Sequence, residues 1–494
     1  MAWTTPDPTT VGWLRRGIER APHAVAVCSG ETSLTYAELG ERCARLSAAL
    51  RGRLNPGDRV AVLAANSPEY LELYLGVTGA GLVVVPLDPA RSAAELRVVL
   101  RDAGVAAVFA DRDVSALGAV RAFALGPDYE KLLADGAAVT PGSAAITPDM
   151  VAALFYTGGT TGMPKGVMLT HGNLAANARN LSAALDVGPG TRWLVAAPMF
   201  HISGTIGSLA TIGSGGRHVL AGASSPEEML DVVQRHAVTT TLVLPPMLAA
   251  LAAAQLRRPR QLASLRMITH GGGPITEAEV IRAHAAFPQT ELVHLYGATE
   301  LSPIAAVLRG EQQLIGAERG RSCGRPVGGV AVEIRAPSGS RLPAGEYGEV
   351  VVRGDTVMAG YWRRPEASAA VLEDGWYRTG DLGCLDEDGY LYVVDRASDA
   401  IRDGDRMIFS TTVERALRAI DGVAEAAALP AVGGGIHAVV VSHDAGAVAD
   451  ACRAVLEGFG TRVVLTMRSE ELPRSGAGKI FKRRLREPAA RHPP

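Results

Sequence analysis

Short runs of β-branched and aliphatic residues recur along this chain, each followed by a longer stretch with helical apolar spacing. "RVAVLAA" (59–65) leads into "SPEYLELYLGVTGAG" (67–81), "LVVVPLD" (82–88) leads into "SAAELRVVLRDAG" (92–104), and "AAVFAD" (106–111) follows. A strand returning to its sheet through a helix must run parallel to its predecessor, so this cadence predicts parallel or mixed sheets covered by helices, an α/β fold. The rhythm resumes in "RWLVAAP" (192–198), "GRHVLAG" (216–222), "PEEMLDVVQRHAV" (226–238), "TTLVLPP" (240–246), "RMITHGG" (266–272) and "ELVHLYG" (291–297). From about Arg325 it gives way to glycine-punctuated strands, "VAVEIRAPSG", "GEVVVRG" and "GYLYVVD", which read as a small β-rich subdomain. The last hundred or so residues alternate helix and strand again as a compact α+β unit, with the polar "DRASDAIRDGD" (395–405) as the linker.

With 494 residues the chain is long for one hydrophobic core. The expected organisation is an N-terminal domain over 1–394, its β-rich subdomain over about 325–394, and a small mobile C-terminal domain over 395–494 with a hinge near Ser398. A net charge of −2 speaks against nucleic acid or an anionic membrane as the main partner. Cys28, Cys43, Cys323, Cys384 and Cys452 show neither CxxC pairing nor metal spacing, which reads as a reduced, cytoplasmic protein. The N-terminus lacks the apolar core of a signal peptide, and no apolar run is long enough to span a bilayer.

The segment "FYTGGTTGMPKG" (155–166) carries the first chemical signal. It is not a Walker A loop, because Pro164 precedes Lys165 and Gly166 follows it. Backbone N–H groups and hydroxyls of Gly158, Gly159, Thr160, Thr161 and Gly162 can nevertheless wrap a polyphosphate. Lys165 is one of four lysines in a chain with 49 basic residues, and Lys479 sits in a second glycine-rich motif. An arginine fork cannot replace a compact ammonium where one point charge must reach an oxygen.

The segment "YTGGTTGMPKG" resembles the phosphate loop of the adenylate-forming family, which includes acyl-CoA synthetases, peptide-synthetase adenylation domains and luciferases. Further motifs match in family order: "LTYAEL" (34–39), "PGDRVAV" (56–62), "GGGP" (271–274), "YGATE" (296–300), "CGRPVGGV" (323–330), "GEVVVRG" (348–354), "YRTGD" (377–381) and "LPRSGAGKI" (472–480). The resemblance implies ATP and Mg2+ as ligands. It places Thr157, Thr160, Thr161 and Lys165 on the β- and γ-phosphates, with Gly158 and Gly159 in the loop. Glu300 would hold Mg2+ and Thr299 would touch the α-phosphate. Tyr296 and Gly297 would flank the adenine on one side, and Gly272, Gly273 and Pro274 on the other. Asp381 would accept the ribose hydroxyls with support from Arg396, and Lys479 would bridge the substrate oxygen and the α-phosphate.

The segment "PMFHISGTIGSL" (198–209) resembles the helix lining the acid pocket, with His201 at the carboxylate end, Ile202 beside it, and Gly204 and Gly207 leaving room for an aryl or acyl group. Gly271, Ala298, Pro303 and Ile304 would complete the pocket. The family's chemistry is attack of an oxyanion on the α-phosphorus of ATP, followed by transfer to CoA or a carrier-protein pantetheine thiol. Departures gather near the hinge: Ser398 replaces a usual Asp or Lys, Asp405 the second glycine of a pair, Ser410 a common Pro, and Thr412 an acidic residue. These leave open an alternative in which an amine takes the activated group without a thiol step, as in a nitrite-activating diazotase. A silent nucleotide-binding homologue is the non-enzymatic reading.

Overall fold

The computed structural model describes residues 7–136, 145–158, 163–222, 225–273, 275–404, 406–474 and 480–486. Gly159, Thr160, Thr161, Gly162, Pro274, Asp405 and Lys479, all singled out above, lie outside the described residues. The chain divides into two compact units. The first comprises Met1–Val332, Val352–Tyr377 and Gly389–Leu391, and the second Glu333–Val351, Arg378–Asp388 and Tyr392–Pro494.

Two large sheets organise the first unit. One has nine strands in the order Arg325–Pro326, Ile304–Leu308, Glu291–Gly297, Met267–Gly271, Thr240–Val243, Arg192–Val195, Arg217–Leu220, Val25–Ser29 and Thr32–Thr35. The other has seven, in the order Gly360–Tyr361, Lys165–Thr170, Val151–Thr157, Val83–Pro86, Arg59–Leu63, Val105–Ala110 and Arg121–Ala124. Central pairs in both are parallel, and antiparallel pairs occur towards the edges. This is the α/β architecture that the alternating cadence predicts.

The helix Pro68–Gly79 explains why "YLELYLGVTG" is apolar all round. It touches Val25–Ser29 of one sheet and Arg59–Leu63 and Val83–Pro86 of the other, and every residue from Tyr70 to Gly79 is buried. Glu72 within it is 1% exposed. Its carboxylate is matched by Arg42 Nε at 2.7 Å and by the Tyr129 hydroxyl at 2.8 Å, which offsets the cost of burying a charge. Helix starts follow local chemistry. Thr35/Glu38, Ser92/Glu95, Thr170/Asn173, Ser225/Glu228 and Thr276/Glu279 each form a reciprocal capping box.

From 330 to 396 the chain is mostly strand and passes back and forth between the two units, as Val330–Arg335, Gly348–Gly354, Trp376–Leu385 and Leu391–Arg396. The rest of the second unit is α+β. Glu425–Pro430 pairs antiparallel with Ile436–Val441, which pairs parallel with Val463–Arg468. Helices Ser410–Arg418 and Ala445–Glu457 close a core containing Val413, Leu417, Val448, Cys452 and Leu456. The segment read as a polar linker is partly ordered: Ile401–Asp403 and Arg406–Ile408 form a two-stranded ribbon, and Ile401 is fully buried. All five cysteines are buried and free. Among the described residues no helix is long and apolar enough to cross a membrane.

Candidate active site

The strands Val151–Thr157 and Lys165–Thr170 are antiparallel neighbours, and Thr157 faces Lys165 across the pair. The glycine-rich loop is therefore the connection of a hairpin, and its first hydroxyl and its lysine emerge side by side. Among the described residues nothing lies within 4 Å of where a Cβ on Gly158 would stand, so the serine common at this place in the resembled family meets no described neighbour.

A third strand buttresses this hairpin. Gly360–Tyr361 pairs antiparallel with Lys165–Thr170, and the Trp362 N–H donates to Gly166 O at 2.7 Å. Met358 N–H donates to Glu300 O at 2.9 Å, so one short segment touches both the lysine strand and the turn carrying Glu300. The Tyr361 hydroxyl donates to Glu300 Oε1 at 2.9 Å, and Lys165 Nζ lies 4.9 Å from the centroid of the same ring. Tyr377 adds a hydrogen bond to the Tyr361 hydroxyl. Burial and the nearby carboxylate hold the Tyr361 phenol well above its usual pKa, so it remains a donor. Behind the hairpin, Asp102 accepts from the Tyr156 hydroxyl at 2.7 Å and pairs with Arg364 at 2.5 Å.

Tyr296 and the glycine turn leave the same ends of adjacent parallel strands, where Gly271 is paired with Leu295. Ligands of open α/β sheets gather at the carboxyl ends of strands. Gly272 has φ +74°, a conformation open to glycine at little cost. Gly297 is required by packing, since a Cβ there would fall 1.7 Å from Pro303 O. Ala298 precedes the short helix Thr299–Leu301, which presents Thr299 and Glu300.

The segment expected to line the acid pocket is closely packed at its glycines. A Cβ on Gly204 would meet Pro198 O at 2.1 Å, and one on Gly207 would meet the Trp193 indole at 2.5 Å. On that side the missing side chains allow close packing. Gly271 is likewise pressed against Leu295 O. Ile202 and Ile304 are both buried, and Ile202 borders a small cavity with Tyr74, Asn177, Thr205 and Ser302. His201 caps Ile202–Thr205: its Nδ1 accepts from Ser203 N–H and shares a 2.8 Å hydrogen bond with Ser203 Oγ.

Asp381 and Arg396 are brought together within the second unit, Arg396 Nε lying 2.9 Å from Asp381 Oδ1. Asp381 N–H donates to Thr379 Oγ1, whose hydroxyl donates to Val350 O. Ser398 O accepts from Arg486, and Ser398 Oγ donates to Asp399 at 3.1 Å. The sequence reading did not foresee the use made of Ser410. Its N–H and hydroxyl both donate to Asp395, and Lys482 donates to its Oγ at 2.8 Å. Tyr361 was also missed. Its partner Glu300 lies 61 residues away, and no local pattern announces the contact.

Glu300 fits a magnesium role. Tyr361 holds one oxygen, the other has no hydrogen-bond partner among the described residues, and Mg2+ commonly takes one or two carboxylates plus substrate phosphates. No described cluster of three His, Cys, Asp or Glu forms a metal cage of its own.

Residues 14–362 match the family described as AMP-binding enzyme, and the chain belongs to that family. It is an AMP-forming, adenylate-forming ligase. A feruloyl-CoA synthase of Amycolatopsis sp is 38% identical over 491 residues, covering 96% of this chain and 98% of the relative. O-succinylbenzoate coenzyme A synthetase from Bacillus subtilis, solved with ATP and a magnesium ion, superposes with a TM-score of 0.85 at 29% identity, covering 98% of this chain and 100% of that one. The amide bond synthetase McbA of Marinactinospora thermotolerans gives 0.83 at 30% identity, over 97% and 99%.

Proposed function

We propose that the chain activates an aryl or acyl carboxylate as its AMP ester and passes the acyl group to the thiol of CoA. The observation that carries this reading is the grouping of Thr157, Lys165, Tyr361 and Glu300 at one end of the hairpin, an ammonium and a carboxylate prepared for a triphosphate and its cation. The likeness to the feruloyl-CoA synthase supports an aryl acid and a CoA acceptor.

In the first step a carboxylate oxygen attacks the α-phosphorus, the new O–P bond forms, and the bond to the β-phosphate oxygen breaks to release pyrophosphate. Thr157 and Lys165, with Thr160 and Thr161, grip the departing phosphates. Glu300 would hold the magnesium ion, which when bound would supply neutralisation of the triphosphate charge. Tyr296 and Gly272–Pro274 enclose the base, Asp381 with Arg396 receives the ribose, and Lys479 stabilises charge between the acid and the α-phosphate. In the second step the thiol sulfur attacks the acyl carbon, the acyl–oxygen bond breaks, and AMP leaves. The C-terminal domain turns about Ser398 between the two steps.

A second reading, in which an amine attacks the adenylate, is favoured by the likeness to the amide bond synthetase and by Asp405 standing where a pantetheine-facing glycine is usual. Pyrophosphate and AMP formation should be measured with a panel of hydroxycinnamic, benzoic and short acyl acids, and with nitrite, each with and without CoA and amines. The first reading expects AMP and a thioester only with an aryl or acyl acid and CoA together. Amine-dependent turnover that ignores CoA overturns it, and nucleotide binding without any turnover would indicate a silent homologue.

A further inference from the structure

We propose that Tyr361 is a positioning residue that joins the phosphate-loop lysine and the magnesium carboxylate into one preorganised unit. The inference rests on the reading of Lys165 and Glu300 given above. Tyr361 is 6% exposed, and its backbone is fixed twice, by pairing with Val167 and by an N–H donated to Ser368 Oγ at 2.8 Å. The side chain then has two faces of different chemistry. Its hydroxyl donates to Glu300 Oε1 at 2.9 Å, while its ring lies under the Lys165 ammonium at 4.9 Å.

The hydroxyl settles which carboxylate oxygen is committed to the protein and which remains for a cation. It does so without placing a positive charge beside Glu300 that would compete with the metal. The ring meanwhile lies under the Lys165 ammonium, so one side chain contacts both the ammonium and the carboxylate before nucleotide arrives. Hydrogen-bond partners of metal ligands act in this way, and losing one typically costs affinity without removing the ligand.

The test uses the full chain with Tyr361→Phe, Tyr361→Leu and Glu300→Gln. Binding of α,β-methylene-ATP is measured without metal, and binding of Mn2+ to the preformed nucleotide complex is followed by its paramagnetic resonance. Tyr361→Phe keeps the ring, and is expected to weaken Mn2+ binding about tenfold with metal-free nucleotide affinity unchanged. Tyr361→Leu is expected to weaken both. If Glu300→Gln loses Mn2+ while Tyr361→Phe binds it like the parent, the positioning role is wrong and the metal role of Glu300 stands. If Glu300→Gln also binds Mn2+ normally, the metal reading fails, and this inference with it. An equal loss of both affinities in Tyr361→Phe, accompanied by a lower unfolding temperature, would mean a purely structural role and overturn the proposal.

Discussion

Lys479 and Lys165 illustrate what single residues disclose. In a chain this poor in lysine, an ammonium kept inside a glycine-rich motif is informative, and that is the ground on which both are assigned to the phosphates. Lys479→Ala is expected to slow adenylate formation by about 100-fold or more, the usual cost of losing one group aimed at developing charge, with ATP binding nearly unchanged. Pyrophosphate exchange read beside nucleotide binding checks this, and lost binding would show that its role is misplaced. Buried histidines disclose less in sequence, because neither "LTHGN" nor "GRHVL" reveals depth. His171 and His218 are 0% and 1% exposed, and burial lowers each pKa to about 4. The unfolded chain titrates near the usual 6.5, so between these values it binds more protons than the native state, and stability falls as pH falls. The expected loss is about 2 kcal/mol per histidine from pH 7 to pH 5. Denaturant melts at the two pH values test it, and a His218→Leu variant should show a shallower pH dependence.

Elements were the most legible level. Strand–helix alternation announced the parallel sheets because each strand in that pattern must be covered on both faces. What spacing could not reveal was why particular glycines occur. Gly204 and Gly207 read as space for ligand, yet a Cβ on either would meet Pro198 or Trp193, contacts decided by tertiary packing. Lys482, in the short helix Lys482–Arg486 after the second glycine-rich motif, reaches Glu414 at 2.6 Å and Ser410 at 2.8 Å. Arg486 pairs with Asp399 beside the expected hinge. The helix Lys482–Arg486 is thus tied to the start of the helix Ser410–Arg418 and to the hinge sequence. Lys482→Met leaves Glu414, 8% exposed, without its cation, and is expected to destabilise the second unit by about 1–3 kcal/mol. Faster amide exchange over 480–486 should accompany a lower unfolding temperature. Unchanged exchange there would mean that the helix is held by Leu485 and Ile480, which pack on the apolar group around Leu472.

At the scale of the whole molecule, the family and its first chemical step were readable because ordered motifs span nearly the entire sequence. The acceptor was not, since it depends on what a few hinge residues allow. Asp395 accepts from Ser410, and Arg486 donates to Ser398 O, so the segment around Ser398 is held by several polar contacts within its own unit. If the C-terminal domain turns about Ser398 between adenylation and transfer, the backbone there must visit two conformations, and fixing φ should separate the two steps. Ser398→Pro is therefore expected to retain pyrophosphate exchange within about threefold, while full turnover with CoA falls tenfold or more, as for a conformational step that gates product formation. Single-turnover measurement of the acyl adenylate, chased with CoA, distinguishes the steps directly. Equal loss in both halves would point to misfolding of the segment, checked by the unfolding temperature. Normal turnover would place the hinge elsewhere in 395–405. An amine-accepting enzyme that needs no turn between steps predicts a third pattern: Ser398→Pro leaves both adenylation and amide formation near the parent rate.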